Sequence, residues 1–357
     1  MLVNGQPYRT VWMEGSVVRM INQPLLPHLF KIIDLEDTEA TAHSISDMIV
    51  RGAPAIGATG AYGVAQATLL ADSDNWLDDV KSAAARLSTT RPTAQDLFYG
   101  IKEIMKVVES AGTLEEARKA AVERAKQFAD DSAAACERIG TIGADLIEDN
   151  MRILTHCNAG WLATVDWGTA TAPIYKAKRQ GKDIFVFVDE TRPRCQGARL
   201  TAWEMAEEKI PHAIIVDNAA GYFMASSQVD MVITGTDRVA RNGDVANKIG
   251  TYEKAVLAQR HGIPFYVAAP ASTIDFDCPT GADIPIEERD ESEVLNMFGM
   301  GKNGEMTSIR ISPQASSAKN PAFDVTPASL VTGLITEKGL IRPENLAQNQ
   351  HILHPRK

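Results

Sequence analysis

The sequence predicts an α/β protein, mainly helical with a small β-element over residues 1–148 and built on a parallel sheet over residues 149–357. Two observations carry this. Helical periodicity dominates 37–50, 55–70, 73–87, 94–111 and 114–149. From residue 151 the rhythm changes to short apolar runs at 152–156 (RILTH), 184–189 (IFVFVD), 213–217 (AIIVD), 230–234 (DMVIT) and 264–269 (PFYVAA), with helical patterns at 167–179, 197–209, 219–227 and 247–261. Short β-branched and aromatic runs alternating with helices are βαβ units of a parallel sheet. Right-handed crossovers make such a sheet doubly wound, so the C-terminal domain is expected to be Rossmann-like.

Each element has a local reason. Val11 and Met13, then Val17, Val18 and Met20, alternate enough for two short strands around Glu14-Gly15. The stretch LEDTEATAHSISDMIV opens a helix with an acidic first turn, which suits the positive end of the helix dipole. Asp72 and Ser73 are expected to start the next-but-one helix, and Thr93, just after Pro92, to cap the following one. Between them, twenty residues from Gly52 to Ala71 carry no charge. Gly52, Gly57, Gly60, Gly63, Pro54, Gln66 and two threonines leave that stretch too little hydrophobicity to span a membrane unaided.

The chain has 357 residues, 45% hydrophobic and 23% charged, which suits two folded domains rather than disorder. Acidic residues outnumber basic ones 46 to 36, for a net charge of −10. That field repels nucleic-acid phosphates and anionic membrane surfaces, so neither is expected as a partner. A small anionic substrate stays possible, because one pocket can invert the global sign. The four cysteines form no CxxC pair and no Cys/His cluster at zinc spacing, and the first residues contain no apolar signal region. The expectation is a reduced, cytoplasmic protein without a disulfide framework or structural metal.

Open parallel sheets bind ligands outside the carboxyl ends of their strands. Cys157-Asn158-Ala159-Gly160 follow the first strand. Glu190-Thr191-Arg192-Pro193 and Gln196-Gly197 follow the second, and Asp217-Asn218 end the third. Gly235-Thr236-Asp237-Arg238 follow the fourth, and Asn242 to Lys248 come next. A single strand-end aspartate commonly caps the next helix; a thiol, carboxylates, amides and a lysine on one rim suggest a site.

Cys157 stands at a strand end before a backbone-permissive turn, and an ordinary thiol titrates near ~8.5, within reach of acid–base work. Most free cysteines are simply small buried hydrophobes. A nucleophilic role would need a positioned base, and His156 points to the opposite face of an extended strand. Asp237 in an apolar cleft would hold its proton and serve as an acid. Asn247-Lys248, read as the start of a helix, suit a phosphate, as does the Arg51-Gly52-Ala53 turn before a small-residue helix, and Arg91-Pro92. The glycines at 57, 60 and 63 do not form GxGxxG and no GxxxxGK[ST] loop exists, so neither a nicotinamide nor a flavin cofactor is expected.

The motifs RGAPAIGATGAYG, TRPTAQDLF, ILTHCNAGWLAT, DETRPRCQGARLTAWE, VDNAAGYFM, GTDRVARNGDVANKIGTY, GIPFYVAAPASTID, PIEERD and NPAFDVTP together resemble the methylthioribose-1-phosphate isomerase family. That family lies in the superfamily of the alpha, beta and delta subunits of initiation factor 2B. The likeness runs from about residue 8 to residue 340. It implies a homodimer that interconverts 5-methylthioribose 1-phosphate and 5-methylthioribulose 1-phosphate without a cofactor. It makes Cys157 the catalytic cysteine and Asp237 the catalytic acid. Substrate binding is carried over to Arg51, Gly52, Ala53, Arg91, Gln196, Asn247 and Lys248.

Thr236, Trp161, Asp166-Trp167 and Arg194-Cys195 depart from the family's usual residues and bear on the dryness of the pocket and its preference at the sugar's 5-position. Two alternatives follow: an isomerase of 5-deoxyribose 1-phosphate or ribose 1,5-bisphosphate, with Arg194 and Arg199 for a second phosphate, or a non-catalytic regulatory subunit.

Overall fold

The structure, a computed structural model, describes residues 1–91 and 95–353. It divides into two units, Met1–Glu137 with Trp161–Gly168, and Arg138–Gly160 with Thr169–Lys357.

In the first unit β1 (Leu2–Val3) and β2 (Gln6–Pro7) pair antiparallel, and β3 (Val11–Glu14), β4 (Val17–Ile21) and β5 (Ile32–Leu35) form an antiparallel meander. Helices α1 (Thr38–Ser46), α2 (Ala53–Leu70), α3 (Trp76–Ser88), α4 (Gln95–Ser110) and α5 (Leu114–Ala144) follow. Asp37 caps α1, its carboxylate accepting the Ala40 N–H at 2.7 Å. The start of α3 falls at Asn75 rather than at Asp72 or Ser73; the Ser73 hydroxyl instead accepts the Asn75 N–H at 3.2 Å. The cap expected at Thr93 lies outside the described residues.

The uncharged stretch is the central helix of this unit. α2 touches α1, α3, α4, β3 and β4, and is buried along most of its length. A Cβ on Gly100 of α4 would lie 2.3 Å from the Gly57 carbonyl oxygen, so the two helices meet backbone to backbone and larger residues would part them. Gln66 is the polar exception, and it is fully engaged. Its Nε2 donates to the Ser16 and Leu35 carbonyls at 2.9 and 2.7 Å, and its Oε1 accepts from the Thr41 hydroxyl at 2.7 Å. Among the described residues no helix is long and apolar enough to cross a membrane.

The second unit runs β6 (Arg152–Thr155), α6 (Ala172–Arg179), β7 (Phe185–Asp189), α7 (Ala202–Glu207), β8 (His212–Ile215), α8 (Ala220–Ala225) and β9 (Met231–Thr234). After these come β10 (Arg238–Ala240), β11 (Val245–Lys248), α9 (Thr251–His261), β12 (Phe265–Ala268) and β13 (Ile274–Asp275). The last strands are β14 (Asn296–Met300), β15 (Met306–Arg310), β16 (Phe323–Thr326), β17 (Gly333–Thr336) and β18 (Gly339–Ile341).

Seven strands form one sheet in the order β18-β17-β12-β9-β6-β7-β8, parallel throughout except for β18. The six parallel strands, numbered by their place in the chain and read from β8, stand 3-2-1-4-5-6, the order of doubly wound dinucleotide-binding sheets. The chain works outward from β6 in one direction and from β9 in the other. β6 and β9 are therefore neighbours whose connections leave toward opposite edges, and the crevice at their carboxyl ends is the place where such sheets hold ligands.

One expectation is corrected. Asn247 and Lys248 do not begin a helix; they are the last two residues of β11, and α9 starts at Thr251 after Gly250, whose φ is +102°. β11 is an inner strand of a second sheet, ordered β13-β10-β11-β16, with Asn247 opposite Asp324 and Lys248 opposite Phe323. The Asn242-Gly243 dipeptide, with Gly243 at φ +89°, turns β10 back into β11, as such dipeptides do between antiparallel strands.

Candidate active site

Cys157 and Asp237 follow β6 and β9, the two strands that flank the crevice. The two loops press on each other, since a Cβ on Gly235 would lie 2.5 Å from the Ala159 Cβ. Cys157 itself has a left-handed backbone, φ +62°. For a non-glycine residue this costs ~1–3 kcal/mol and persists where the surroundings over-determine it.

Those surroundings are specific. The Cys157 N–H donates to the Thr191 hydroxyl at 2.8 Å, and the Cys157 carbonyl accepts from the Thr201 hydroxyl at 2.7 Å. Thr191, left-handed too at φ +64°, donates its hydroxyl to the Asp189 carbonyl at 3.0 Å and its N–H to Asp217 at 2.8 Å. Asp217 also accepts the Arg192 N–H at 2.7 Å. Asn158 donates to Thr201 Oγ1 and to Glu204 Oε1 at 3.1 and 3.0 Å, and the Tyr175 hydroxyl donates to Glu204 Oε2 at 2.5 Å. Gly160 is the residue that makes room for this carboxyl, because a Cβ there would fall 1.6 Å from Glu204 Oε2.

Lys248 is 3% exposed, and its Nζ has no hydrogen-bond partner among the described residues. Burial pushes its pKa below the ordinary lysine value. Cys157, Glu293 and Asp237 pull it back up, while Arg289 lowers it further. The ammonium thus lies within electrostatic reach of both the thiol and the carboxyl. Gln196 is also buried, with Oε1 lacking a hydrogen-bond partner among the described residues. A buried polar group left unsatisfied costs ~1–3 kcal/mol, more when charged, so the Lys248 ammonium is poised for an anion and the Gln196 oxygen for a donor such as a hydroxyl. Asn247, the residue before Lys248 in β11, is held in place, its Nδ2 donating to Thr251 Oγ1 at 2.9 Å while that hydroxyl donates to the Lys248 carbonyl at 2.7 Å.

Asp237 departs from expectation. It is exposed rather than sunk in an apolar cleft, because its N–H is fixed to the Ala246 carbonyl at 3.0 Å where the chain passes from β9 to β10. The Thr236 hydroxyl beside it is occupied by the backbone, 2.8 Å from the Ala246 carbonyl and 2.9 Å from that of Arg238.

His156 is fully occupied. Its Nδ1 lies 2.9 Å from Asp189 Oδ2 and its Nε2 lies 2.8 Å from the Ile249 carbonyl, so the ring is not the base for the neighbouring thiol. His156, Asp189 and Asp217 bring potential ligand atoms within 4.8 Å of one another. Both Asp217 oxygens already accept backbone N–H groups, and the Lys254 ammonium stands 3.3 Å from Asp189. That arrangement does not suit a cation.

Arg51, Gly52, Ala53 and Arg91 lie in the first unit. Gly52 caps α2 at φ +89°, and a Cβ there would lie 2.2 Å from the Ala163 carbonyl oxygen. Ala53 is the first residue of α2, and Arg51 and Arg91 are half-buried. The arginines considered for a second phosphate are engaged elsewhere. Arg194 pairs with Glu293 at 2.7 Å, and the Arg199 guanidinium sits 5.2 Å from the Phe298 ring centroid.

Sequence reasoning missed the Thr191 and Thr201 hydroxyls and the Glu204–Tyr175 pair. They converge from separate elements, and no local pattern marks them. The sharpest available signal was Gly197, where a Cβ would lie 1.6 Å from the Asp189 carbonyl oxygen.

The family described as Initiation factor 2 subunit family matches residues 49–343. The chain is 50% identical to a methylthioribose-1-phosphate isomerase of Methylocella silvestris over 354 residues, 96% of each chain. Among solved structures it is similar to the 5-methylthioribose 1-phosphate isomerase of Pyrococcus horikoshii OT3, with TM-score 0.88 and 42% identity over 99% of this chain and 97% of that one. It is similar as well to the translation initiation factor eIF-2B, subunit delta, of A. fulgidus, with TM-score 0.85 and 41% identity over 97% and 99%.

Proposed function

The chain belongs to the methylthioribose-1-phosphate isomerases of the Initiation factor 2 subunit family, and on that premise we propose that it interconverts 5-methylthioribose 1-phosphate and 5-methylthioribulose 1-phosphate in methionine salvage. The observation that carries the reading is the buried Lys248 ammonium, unpartnered among the described residues and felt by both Cys157 and Asp237. It supports an anion site beside a thiol and a carboxyl at the switch point of the sheet.

The substrate explains the need for them. An ordinary aldose opens its ring by losing the anomeric hydroxyl proton, and in a 1-phosphate that oxygen is esterified. Ring opening then needs an acid at the ring oxygen, and a hydrogen must pass from C2 to C1. We assign the first task to Asp237, whose carboxyl is exposed here and comes to hold its proton once bound substrate takes it out of water. As its proton reaches the ring oxygen, the bond from C1 to that oxygen breaks. Cys157 serves the second, handling or stabilising the C2 hydrogen as it moves as a proton through an enol phosphate or as a hydride. In both routes the C2 hydroxyl loses the proton that restores the acid, so the ketose forms with no net gain or loss. Lys248, Arg51 and Arg91 bind the phosphate, Gln196 and Asn247 the hydroxyls, and Gly52 and Ala53 the substrate through the α2 turn. The protein works as a cytoplasmic homodimer without metal or cofactor.

The pairing of Arg194 with Glu293 and the seat of Arg199 over Phe298 favour a monophosphate over ribose 1,5-bisphosphate. A purely regulatory role leaves the thiol, carboxyl and ammonium without use. The test is turnover of synthetic 5-methylthioribose 1-phosphate and of ribose 1,5-bisphosphate, side by side, with no metal or nicotinamide added. Rapid conversion of the first alone is expected; conversion of neither, or of the bisphosphate alone, overturns the proposal.

A further inference from the structure

His156 is buried, charged groups surround it, and no step above uses it. Its place in the chain is informative, since it immediately precedes Cys157, while Ile249, whose carbonyl lies 2.8 Å from its Nε2, immediately follows Lys248. A carbonyl oxygen only accepts, so Nε2 carries a hydrogen. On the other side Nδ1 faces Asp189 at 2.9 Å, and the same carboxylate oxygen lies 3.3 Å from the ammonium of Lys254. Lys254 is fully buried. Burial alone lowers its pKa, yet Asp189, Glu253 and Asp217 together hold it above the ordinary lysine value. The Lys254 ammonium and the ring therefore share one oxygen of Asp189. The ring thus donates to the Ile249 carbonyl on one side and is bound to Asp189 on the other. Gly250 gives it room, because a Cβ there would lie 3.0 Å from the ring.

We propose that His156 is a positioning residue that pins the Cys157 end of β6 to the Lys248 end of β11, and so sets the thiol against the phosphate-binding ammonium. The Asp189 contact orients the ring. Two residues beyond Asp189, Thr191 grips the Cys157 N–H, so one strand end steadies the thiol from both sides. The pin itself is the Ile249 contact. This inference rests on the isomerase reading.

Two substitutions separate the halves of the clamp. Glutamine places a donor near the Nε2 position and keeps the Ile249 link. Asparagine places one near the Nδ1 position and keeps only the Asp189 link. His156→Gln is expected to retain kcat within about threefold, whereas His156→Asn loses at least tenfold, at matched thermal unfolding. Equal kcat in the two variants, or a loss confined to the glutamine variant, overturns the proposal. Wild-type turnover in the same assay tests the isomerase reading separately; without it, both fall. A measurement on the unaltered protein guards against misfolded variants. Proton–nitrogen NMR of ring-labelled histidine is expected to show one ring with an exchange-protected Nε2–H proton, and the absence of such a ring overturns the pin to Ile249.

Discussion

The backbone N–H of Cys157 donates to the side-chain hydroxyl of Thr191 at 2.8 Å, and both residues hold left-handed backbones, at φ +62° and +64°. Each conformation is unfavourable alone. Together with Asp217, which accepts the Thr191 N–H, they form a brace that presents the thiol at the end of β6.

Removing the hydroxyl tests the brace. Thr191→Val keeps the shape but takes the acceptor from the Cys157 N–H, and a lost buried hydrogen bond costs ~1–3 kcal/mol. The variant is expected to lose that much stability and at least tenfold in kcat, while Thr191→Ser keeps both. Denaturant unfolding and steady-state kinetics provide the check.

Lys248 sets stability against function. Lys248→Met removes a buried, unsatisfied charge and is expected to raise unfolding free energy by ~1–3 kcal/mol. The same change is expected to raise KM about tenfold or more, as a charge-assisted phosphate contact contributes ~1.5–3 kcal/mol. The pH dependence has a definite sign. The folded pKa lies below 10.5, the ordinary value, so wild type carries the full penalty below that lowered pKa and sheds it as pH rises toward 10.5. The stability advantage of the methionine variant therefore narrows in alkali, which unfolding curves across pH will show.

Gly52 is constrained twice, by φ +89° and by the Ala163 carbonyl oxygen 2.2 Å from where a Cβ would stand. Gly15 also has a positive φ, +59°, but open space around it. Gly52→Ala is expected to lower Tm well beyond Gly15→Ala. The latter bears only the backbone penalty of ~1–2 kcal/mol, while the former must also push a backbone atom aside. Paired thermal melts test the difference.

Much of the fold was legible because burial on both faces of a parallel sheet imposes continuous apolar runs. RILT, FVFVD, HAII, MVIT and FYVA all stand in the main sheet. Cys157 was legible as a strand-end residue for the same reason. The β10–β11 hairpin was not, because Asn247 and Lys248 are polar residues buried by pairing with β16, and a long-range partner leaves no trace in the local pattern. The exposure of Asp237 was equally hidden, depending on a backbone bond to Ala246. The hydroxyls that hold Cys157 come from positions 34 and 44 residues away, and only the folded chain brings them there.

The central claim is that Cys157 and Asp237 act on one sugar phosphate as a pair. Turnover of 5-methylthioribose 1-phosphate by Cys157→Ser and by Asp237→Asn, each folded as wild type, tests it most directly. Acid–base groups contribute ~10²–10⁴-fold, so each variant is expected to fall at least a hundredfold in kcat. A variant of either residue that keeps most of the wild-type rate would contradict the account.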